Sequence, residues 1–233
     1  MIRKIINRIG FSKKEIPHIP IGTISKKAIK EYLNETPVIL EAGAADGSDT
    51  IEMNTIFPNG KIYALEPVPF YYEQLANKVR HINNIKAFQY ALGDKTGHGL
   101  LNLSTDIHGI PLSSSSLLNP KQHLEVHPQV LFNKTIDINL ISIDDFCSLN
   151  KIEKIDFLWL DLQGYEYQVL KASPIILKTL QVIHTEVSLI ETYEGVLLYP
   201  EFKKWLLSEG FHPVIEELPW KDMGNVLFVR KPI

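Results

Sequence analysis

The sequence lacks the features that identify disulfide-stabilised, membrane-spanning and nucleic-acid-binding proteins. Its 233 residues include one cysteine, Cys147, so no internal disulfide can form. No segment approaches the roughly 20 consecutive apolar residues that a membrane-spanning helix needs. The net charge of −3 at pH 7 lacks the basic excess typical of nucleic-acid binders. We therefore expect a cytoplasmic protein with no nucleic-acid partner and no stable membrane insertion.

The start of the chain is expected to form an arm. Residues 1–9 place basic and apolar residues at helical spacing without the continuous apolar segment of a secretory signal, which predicts a short surface helix. Prolines and a glycine between residues 17 and 22 interrupt it. Ser25 can then cap a helix that runs to Asn34. We assign residues 1–36 to an N-terminal helical arm and residues 37–233 to one α/β domain.

The most informative stretch is residues 38–47, V-I-L-E-A-G-A-A-D-G. Its apolar start predicts a strand buried on both faces, as in a mostly parallel sheet. Gly43 and Gly47 allow backbone angles that a β-carbon would obstruct, and they let a ligand approach the main chain. A helix starting near residues 48–50 would direct its free N–H groups into the same cleft. The stretch predicts a ligand pocket at the carboxyl edge of the sheet.

The alternation of elements predicts parallel strands with right-handed crossovers. Strands are expected at residues 38–42, 61–66, 85–90, 156–161 and 181–187, with helices between them. Residues 97–140 lose this regularity, and we expect an inserted loop or flap with a short hairpin. Residues 211–217 and 225–230 predict a final antiparallel hairpin.

The charges around the glycine turn indicate the kind of ligand. Glu66, at the end of the second strand, can accept hydrogen bonds from a ribose diol. The turn lacks the third glycine of the G-x-G-x-x-G pattern that seats a pyrophosphate. Glu41 and Asp46 flank it, and they would repel a pyrophosphate but attract a sulfonium and an ammonium group. These charges favour S-adenosylmethionine.

Four motifs in this order resemble the FkbM family of S-adenosylmethionine-dependent methyltransferases. They are E-A-G-A-A-D-G at 41–47, A-L-E-P at 64–67, A-L-G-D at 91–94, and L-D-L-Q-G-Y-E at 160–166 with V-L at 169–170. The resemblance implies a class I methyltransferase fold, α/β and Rossmann-like, with a seven-stranded sheet in the order 3-2-1-4-5-7-6 and helices on both faces. It also implies O-methylation of sugars or polyketide-type natural products. Two positions depart from the family: Glu41 stands where Asp is more common, and Gln163 where Glu is usual.

The resemblance also implies roles in cofactor binding. Glu41, Gly43, Ala44 and Gly47 would border the methionine part, Glu66 the ribose, and Ala91 with Leu92 the adenine. The complete set of predicted cofactor-binding residues is Glu41, Gly43, Ala44, Asp46, Gly47, Thr50, Glu66, Pro67, Ala91, Leu92 and Asp161.

Two carboxylates are the candidate catalytic residues. Asp161, at the cleft end of the fourth strand, is predicted to be the general base or to anchor the cofactor ammonium; its alternative role is capping the helix near Tyr165. Glu186 is a second base or substrate-binding candidate, or else the buried partner of a lysine. Glu166 is explained by the helix dipole. We expect no metal, although Asp161 and Glu186 together could bind a divalent cation.

We therefore expect an O-methyltransferase that acts on a hydroxyl of a sugar, glycan or natural-product small molecule. One alternative is an NAD(P)-dependent oxidoreductase, because the strand, turn and acidic residue are shared with that class. A second is a non-catalytic methyltransferase-like binding module, prompted by Gln163.

Overall fold

A computed structural model of the protein describes residues 23–230. The predicted surface helix at residues 1–9, and the arm as far as residue 22, lie outside this range. The predicted helix at 25–34 is present in shorter form, as helix α1 (Lys26–Ile29) followed by a 3-10 turn (Lys30–Tyr32). It ends because the backbone becomes extended at Leu33, before Pro37 and the first strand.

Residues 23–230 contain ten strands in two sheets. In chain order they are β1 (Val38–Ala42), β2 (Lys61–Leu65), β3 (Ile85–Phe88), β4 (Ala91–Leu92), β5 (Gly97–Thr105), β6 (Leu131–Ile141), β7 (Phe157–Leu160), β8 (Val182–Ser188), β9 (Phe211–Glu217) and β10 (Met223–Arg230). The main sheet has the order β3-β2-β1-β7-β8-β10-β9, which reads 3-2-1-4-5-7-6 when its strands are counted alone. Its strands pair in parallel except β10, which is antiparallel to both neighbours. The α/β class and the mostly parallel sheet are confirmed, but residues 23–230 contain ten strands, three of which form a second sheet that was not predicted.

Helices cover both faces of the main sheet. The remaining helices are α2 (Ser48–Ile56), α3 (Pro69–Val79), α4 (His123–Val126), α5 (Ile143–Asn150), α6 (Glu166–Lys171), α7 (Pro174–Leu177) and α8 (Tyr199–Ser208). Because side chains alternate along a strand, Ile39 packs with α2 and α3, whereas Leu40 packs with α5 and α6. The two faces thus form two separate buried clusters, and the cleft lies at the edge between them.

The insertion differs from the expectation. Residues 97–105 and 131–141 form a long antiparallel hairpin, which joins β4 in a second sheet with the order β4-β6-β5. The prediction of a mainly irregular segment with a short hairpin is wrong for these residues. Leu101, Leu103, Ile138 and Leu140 are buried on one side of the hairpin, so burial of that single face holds it against the domain.

Within residues 23–230 no helix is both long enough and apolar enough to cross a membrane.

Candidate active site

The glycine turn after β1 brings the main chain against the fourth strand of the main sheet, β7. Gly43 has φ +83°, and a β-carbon there would lie 2.1 Å from the carbonyl oxygen of Asp161. The amides of Gly43 and Ala44 both donate to the Leu65 carbonyl at 3.1 Å, which ties the turn to the end of β2. Gly47 has φ +80° and precedes α2. The turn therefore needs glycine at residue 43 for both its angle and its space.

A cavity of about 300 Å³ opens at this edge of the sheet. Its walls include eight of the predicted site residues, namely Gly43, Ala44, Asp46, Glu66, Pro67, Ala91, Leu92 and Asp161. Most of the other wall residues were not predicted from the sequence; these residues are Ala45, Ser48, Asp49, Val68, Tyr71, Tyr90, Leu101, Leu112, Ser113, Ser115, Leu117, Leu162 and Tyr165. The insertion thus supplies one wall, through β5 and the segment that follows it.

Glu66 occupies the floor of the cavity between two backbone donors. Its Oε2 accepts from the amide of Ala45 at 2.9 Å and its Oε1 from the amide of Val68 at 2.8 Å. Burial raises the pKa of the Glu66 carboxyl to about 7, against the opposing effect of the two amides. Each carboxylate oxygen can accept a second hydrogen bond, so the site retains capacity for a diol.

Four predicted site residues do not line the cavity: Glu41, Gly47, Thr50 and Glu186. Glu41 is fully buried beneath the turn, where its Oε2 accepts from the Thr50 hydroxyl at 2.5 Å. Burial raises the pKa of Glu41 to about 8. The hydrogen bond between Glu41 and Thr50 connects β1 to the first turn of α2. It lies beneath the cavity and supports the wall without contacting the cavity itself.

The raised pKa of Glu41 predicts a pH-dependent stability. The folded state binds the Glu41 proton more tightly than the unfolded chain, whose ordinary value is 4.5. The free energy of unfolding should therefore fall as pH rises from about 5 to 8, by at most roughly 1.4 kcal/mol per pH unit from this group. In Glu41→Gln that fall should be shallower, as measured by urea denaturation across this range. Glu201→Gln, an exposed change on α8, should retain the wild-type slope; equal slopes in all three proteins would contradict the assignment.

Lys26 connects the segment before β1 to the cavity wall. Its buried ammonium donates to Asp49 at 2.6 Å and to Glu52 at 2.8 Å, and it lies 4.6 Å from the centre of the Trp159 ring. Since Asp49 lines the cavity, this ion pair holds α1 beside the cleft.

Asp161 and Glu186 meet around an amide. Gln163 Nε2 donates to Asp161 Oδ1 at 2.7 Å and lies 3.4 Å from both carboxylate oxygens of Glu186. Burial raises the pKa of both carboxyls, and the mutual repulsion of Asp161 and Glu186 raises that of Glu186 further. Helix α6 begins after Tyr165 with no side-chain cap, so the Asp161 carboxylate bonds the amide rather than the helix. Among residues 23–230, no group of three His, Cys, Asp or Glu side chains is arranged to hold a metal ion.

The sequence matches a known protein family over most of its length. The domain described as Methyltransferase FkbM domain matches residues 41–213. The chain belongs to the FkbM methyltransferase family. It is therefore an S-adenosylmethionine-dependent methyltransferase, which confirms the resemblance and decides against the oxidoreductase alternative.

Individual relatives agree with this assignment. The 2-O-methyltransferase NoeI of Sinorhizobium fredii (strain NBRC 101917 / NGR234) is 32% identical over 164 residues, which cover 69% of this chain and 67% of that protein. The methyltransferase sdnD of Sordaria araneosa is 23% identical over 224 residues, or 85% of this chain and 83% of that one. The fibrillarin pre-rRNA processing protein of Methanococcus jannaschii matches in structure with a TM-score of 0.50 at 15% identity, covering 87% of this chain and 70% of that chain. At that identity the match shows a common fold only.

Proposed function

We propose that this FkbM methyltransferase is an O-methyltransferase, and that its acceptor is a hydroxyl of a sugar, a glycan or a natural-product small molecule. The observation that carries the proposal is the partly buried carboxylate of Asp161 on the wall of a cavity that also contains Glu66. The name of the relative NoeI, a 2-O-methyltransferase, supports transfer to oxygen.

The cavity residues fit S-adenosylmethionine. Glu66 has a free acceptor position on each oxygen, which suits the two ribose hydroxyls. The buried pair Ala91 and Leu92 gives an apolar surface for the adenine. Asp46 and Asp161 supply negative charge on the walls, which suits the cationic methionine part and disfavours a pyrophosphate. When bound, the cofactor supplies an electrophilic methyl group on a positively charged sulfur.

The chain's own residues then have three tasks. Asp161, when ionised, accepts the proton of the acceptor hydroxyl at a carboxylate oxygen, which increases the nucleophilicity of the attacking oxygen. The insertion wall, including Leu112 and Leu117, limits the entry of water into the cavity. The same wall fixes the acceptor's approach, and positioning of this kind contributes much of the acceleration in a two-substrate transfer. Glu186 lies behind the Gln163 amide and does not line the cavity, so we assign it a supporting role.

A panel assay tests this function. The protein is incubated with S-adenosylmethionine and a set of monosaccharides, oligosaccharides and hydroxylated natural products, and release of S-adenosylhomocysteine is measured with mass detection of the methylated product. We expect turnover with at least one hydroxyl acceptor, and Asp161→Asn should lower kcat by about 100-fold or more. Asp137→Asn, on the exposed side of β6, should retain full activity. Methylation confined to nitrogen or carbon acceptors, or an unchanged kcat in Asp161→Asn, would contradict the proposal.

A further inference from the structure

Gln163 has an unusual backbone for a residue with a side chain. Its φ is +52°, in the left-handed region, and Gly164 follows at φ +95°. A non-glycine residue in this region costs free energy and persists only where surrounding contacts hold it. The side chain is 6% exposed and lies between the ends of β7 and β8. The strained position directs a long polar side chain into the space between two carboxylates.

The nitrogen of the Gln163 side-chain amide faces hydrogen-bond acceptors, and its oxygen faces a hydrogen-bond donor. Its nitrogen faces the carboxylates of Asp161, at 2.7 Å, and Glu186, at 3.4 Å, so the two amide hydrogens lie between the two acids. Its oxygen accepts from the hydroxyl of Tyr193 at 3.0 Å. The opposite orientation would place the amide oxygen against two carboxylates, which are acceptors when ionised.

Tyr193 connects this amide to the insertion. The Tyr193 side chain is 1% exposed, and its single hydroxyl hydrogen is shared between the Gln163 amide oxygen, at 3.0 Å, and the Ser114 carbonyl oxygen, at 2.8 Å. Ser116 donates its hydroxyl to the backbone carbonyl of Gln163 at 2.8 Å. The segment that supplies one cavity wall therefore holds Gln163 at both its backbone and its side chain.

We propose that Gln163 is a positioning residue for Asp161: its amide, oriented by Tyr193, holds the Asp161 carboxylate at the cavity wall and separates it from Glu186. The proposal rests on the proposed function, in which Asp161 acts on the acceptor hydroxyl. It also gives the Gln at this position a role in an active enzyme, whereas the sequence had prompted a non-catalytic alternative.

The electrostatic surroundings make this separation necessary. Asp161 faces Asp49 on α2 and Glu186 on β8. Glu66 at the end of β2 and Glu166 on α6 also face it. Glu186 in turn faces Glu166 on α6 and Asp222, which precedes β10. Each of these carboxylates favours retention of a proton by its neighbours. The Gln163 amide is the neutral donor between Asp161 and Glu186, and it stabilises the ionised form of Asp161 by hydrogen bonding.

An NMR titration of the protein labelled with ¹³C at aspartate carboxyl carbons tests the proposal directly. The Asp161 signal is assigned by its loss in Asp161→Asn, and its titration midpoint is followed from pH 4 to 9. In Gln163→Leu the midpoint should rise by about one pH unit, which is a tenfold change in the ionisation constant. In Gln163→Glu it should rise further, because a third carboxylate replaces the amide. Tyr193→Phe should shift it in the same direction by a smaller amount.

The matched control is Tyr199→Phe, which removes a buried tyrosine hydroxyl that donates to Glu216 at 2.6 Å. Its Asp161 midpoint should coincide with that of the wild type. Equal midpoints in all folded variants would overturn the proposal and leave Gln163 a packing role. Should Gln163→Leu fail to fold, Gln163→Glu and Tyr193→Phe retain nearly the same shape and decide the question. The titration needs no ligand. A negative result therefore contradicts the role of Gln163 without bearing on methyl transfer, which the acceptor panel measures separately.

Discussion

Gly43→Ala should lower the free energy of unfolding by about 3 kcal/mol or more, the largest effect expected of a single change at this site. Two causes add. A β-carbon would lie 2.1 Å from the Asp161 carbonyl oxygen, so β1 and β7 would have to separate. The residue also has φ +83°, which costs an L-amino acid roughly 1–2 kcal/mol. Urea denaturation followed by circular dichroism measures the change.

Gly109→Ala separates the two causes. Gly109 has a similar φ of +78°, but a β-carbon there would meet nothing within 4 Å. The expected loss is roughly 1–2 kcal/mol, from the backbone angle alone. If the two variants lost equal stability, the close approach of the turn to Asp161 would not be a real constraint.

Glu66→Ala should weaken binding of S-adenosylhomocysteine by about 100-fold or more. The change removes both acceptors for the ribose hydroxyls, and hydrogen bonds to a charged group contribute about 1.5–3 kcal/mol each. It also leaves the amides of Ala45 and Val68 without their acceptor, so the cavity floor loses its fixed geometry. Isothermal titration calorimetry measures the affinity.

The matched control is Glu73→Ala, which removes an exposed carboxylate on α3. Its affinity for S-adenosylhomocysteine should equal that of the wild type. Thermal denaturation of both variants checks that each remains folded at the titration temperature. A Glu66→Ala protein that is folded and binds as tightly as the wild type would show that the ribose lies elsewhere.

The position of the cavity could be predicted from the sequence because it depends on local chemistry. A buried strand, a glycine turn and an acid at the end of the next strand occur close together in the chain, and parallel strands bring their carboxyl ends to one edge. Glu41 was harder to place. Strand alternation puts it on the same face as Ile39, so it points beneath the turn toward Thr50 rather than into the cavity.

The insertion was predicted poorly because the apolar pattern of its first strand, β5, is weak. Gly97 and Gly99 interrupt the apolar pattern of β5, and an isolated glycine suggests a break. The clearer signal was in β6, where Ile136, Ile138 and Leu140 alternate with polar residues as a half-buried strand requires. That alternation could have predicted the long hairpin.

The Gln163 cluster depended on contacts between distant parts of the chain. The motif at residues 160–166 drew attention to Asp161 and Gln163, but Tyr193 lies 30 residues further along than Gln163. Ser114 comes from the insertion, on the other side of the motif in sequence. No local spacing rule connects these residues, because the three-dimensional packing of the insertion against the loop after β8 brings them together.

Calorimetric titration of the wild-type protein tests the central claim most directly. The claim is that the cavity at the ends of β1 and β2 binds an adenosyl ligand with a cationic amino-acid tail and excludes a dinucleotide. The account predicts one binding site per chain for S-adenosylhomocysteine, loss of most of that affinity in Glu66→Ala, and no heat of binding with NADH. A folded protein that binds NADH at this cavity, or that gives no binding heat with S-adenosylhomocysteine, would contradict it.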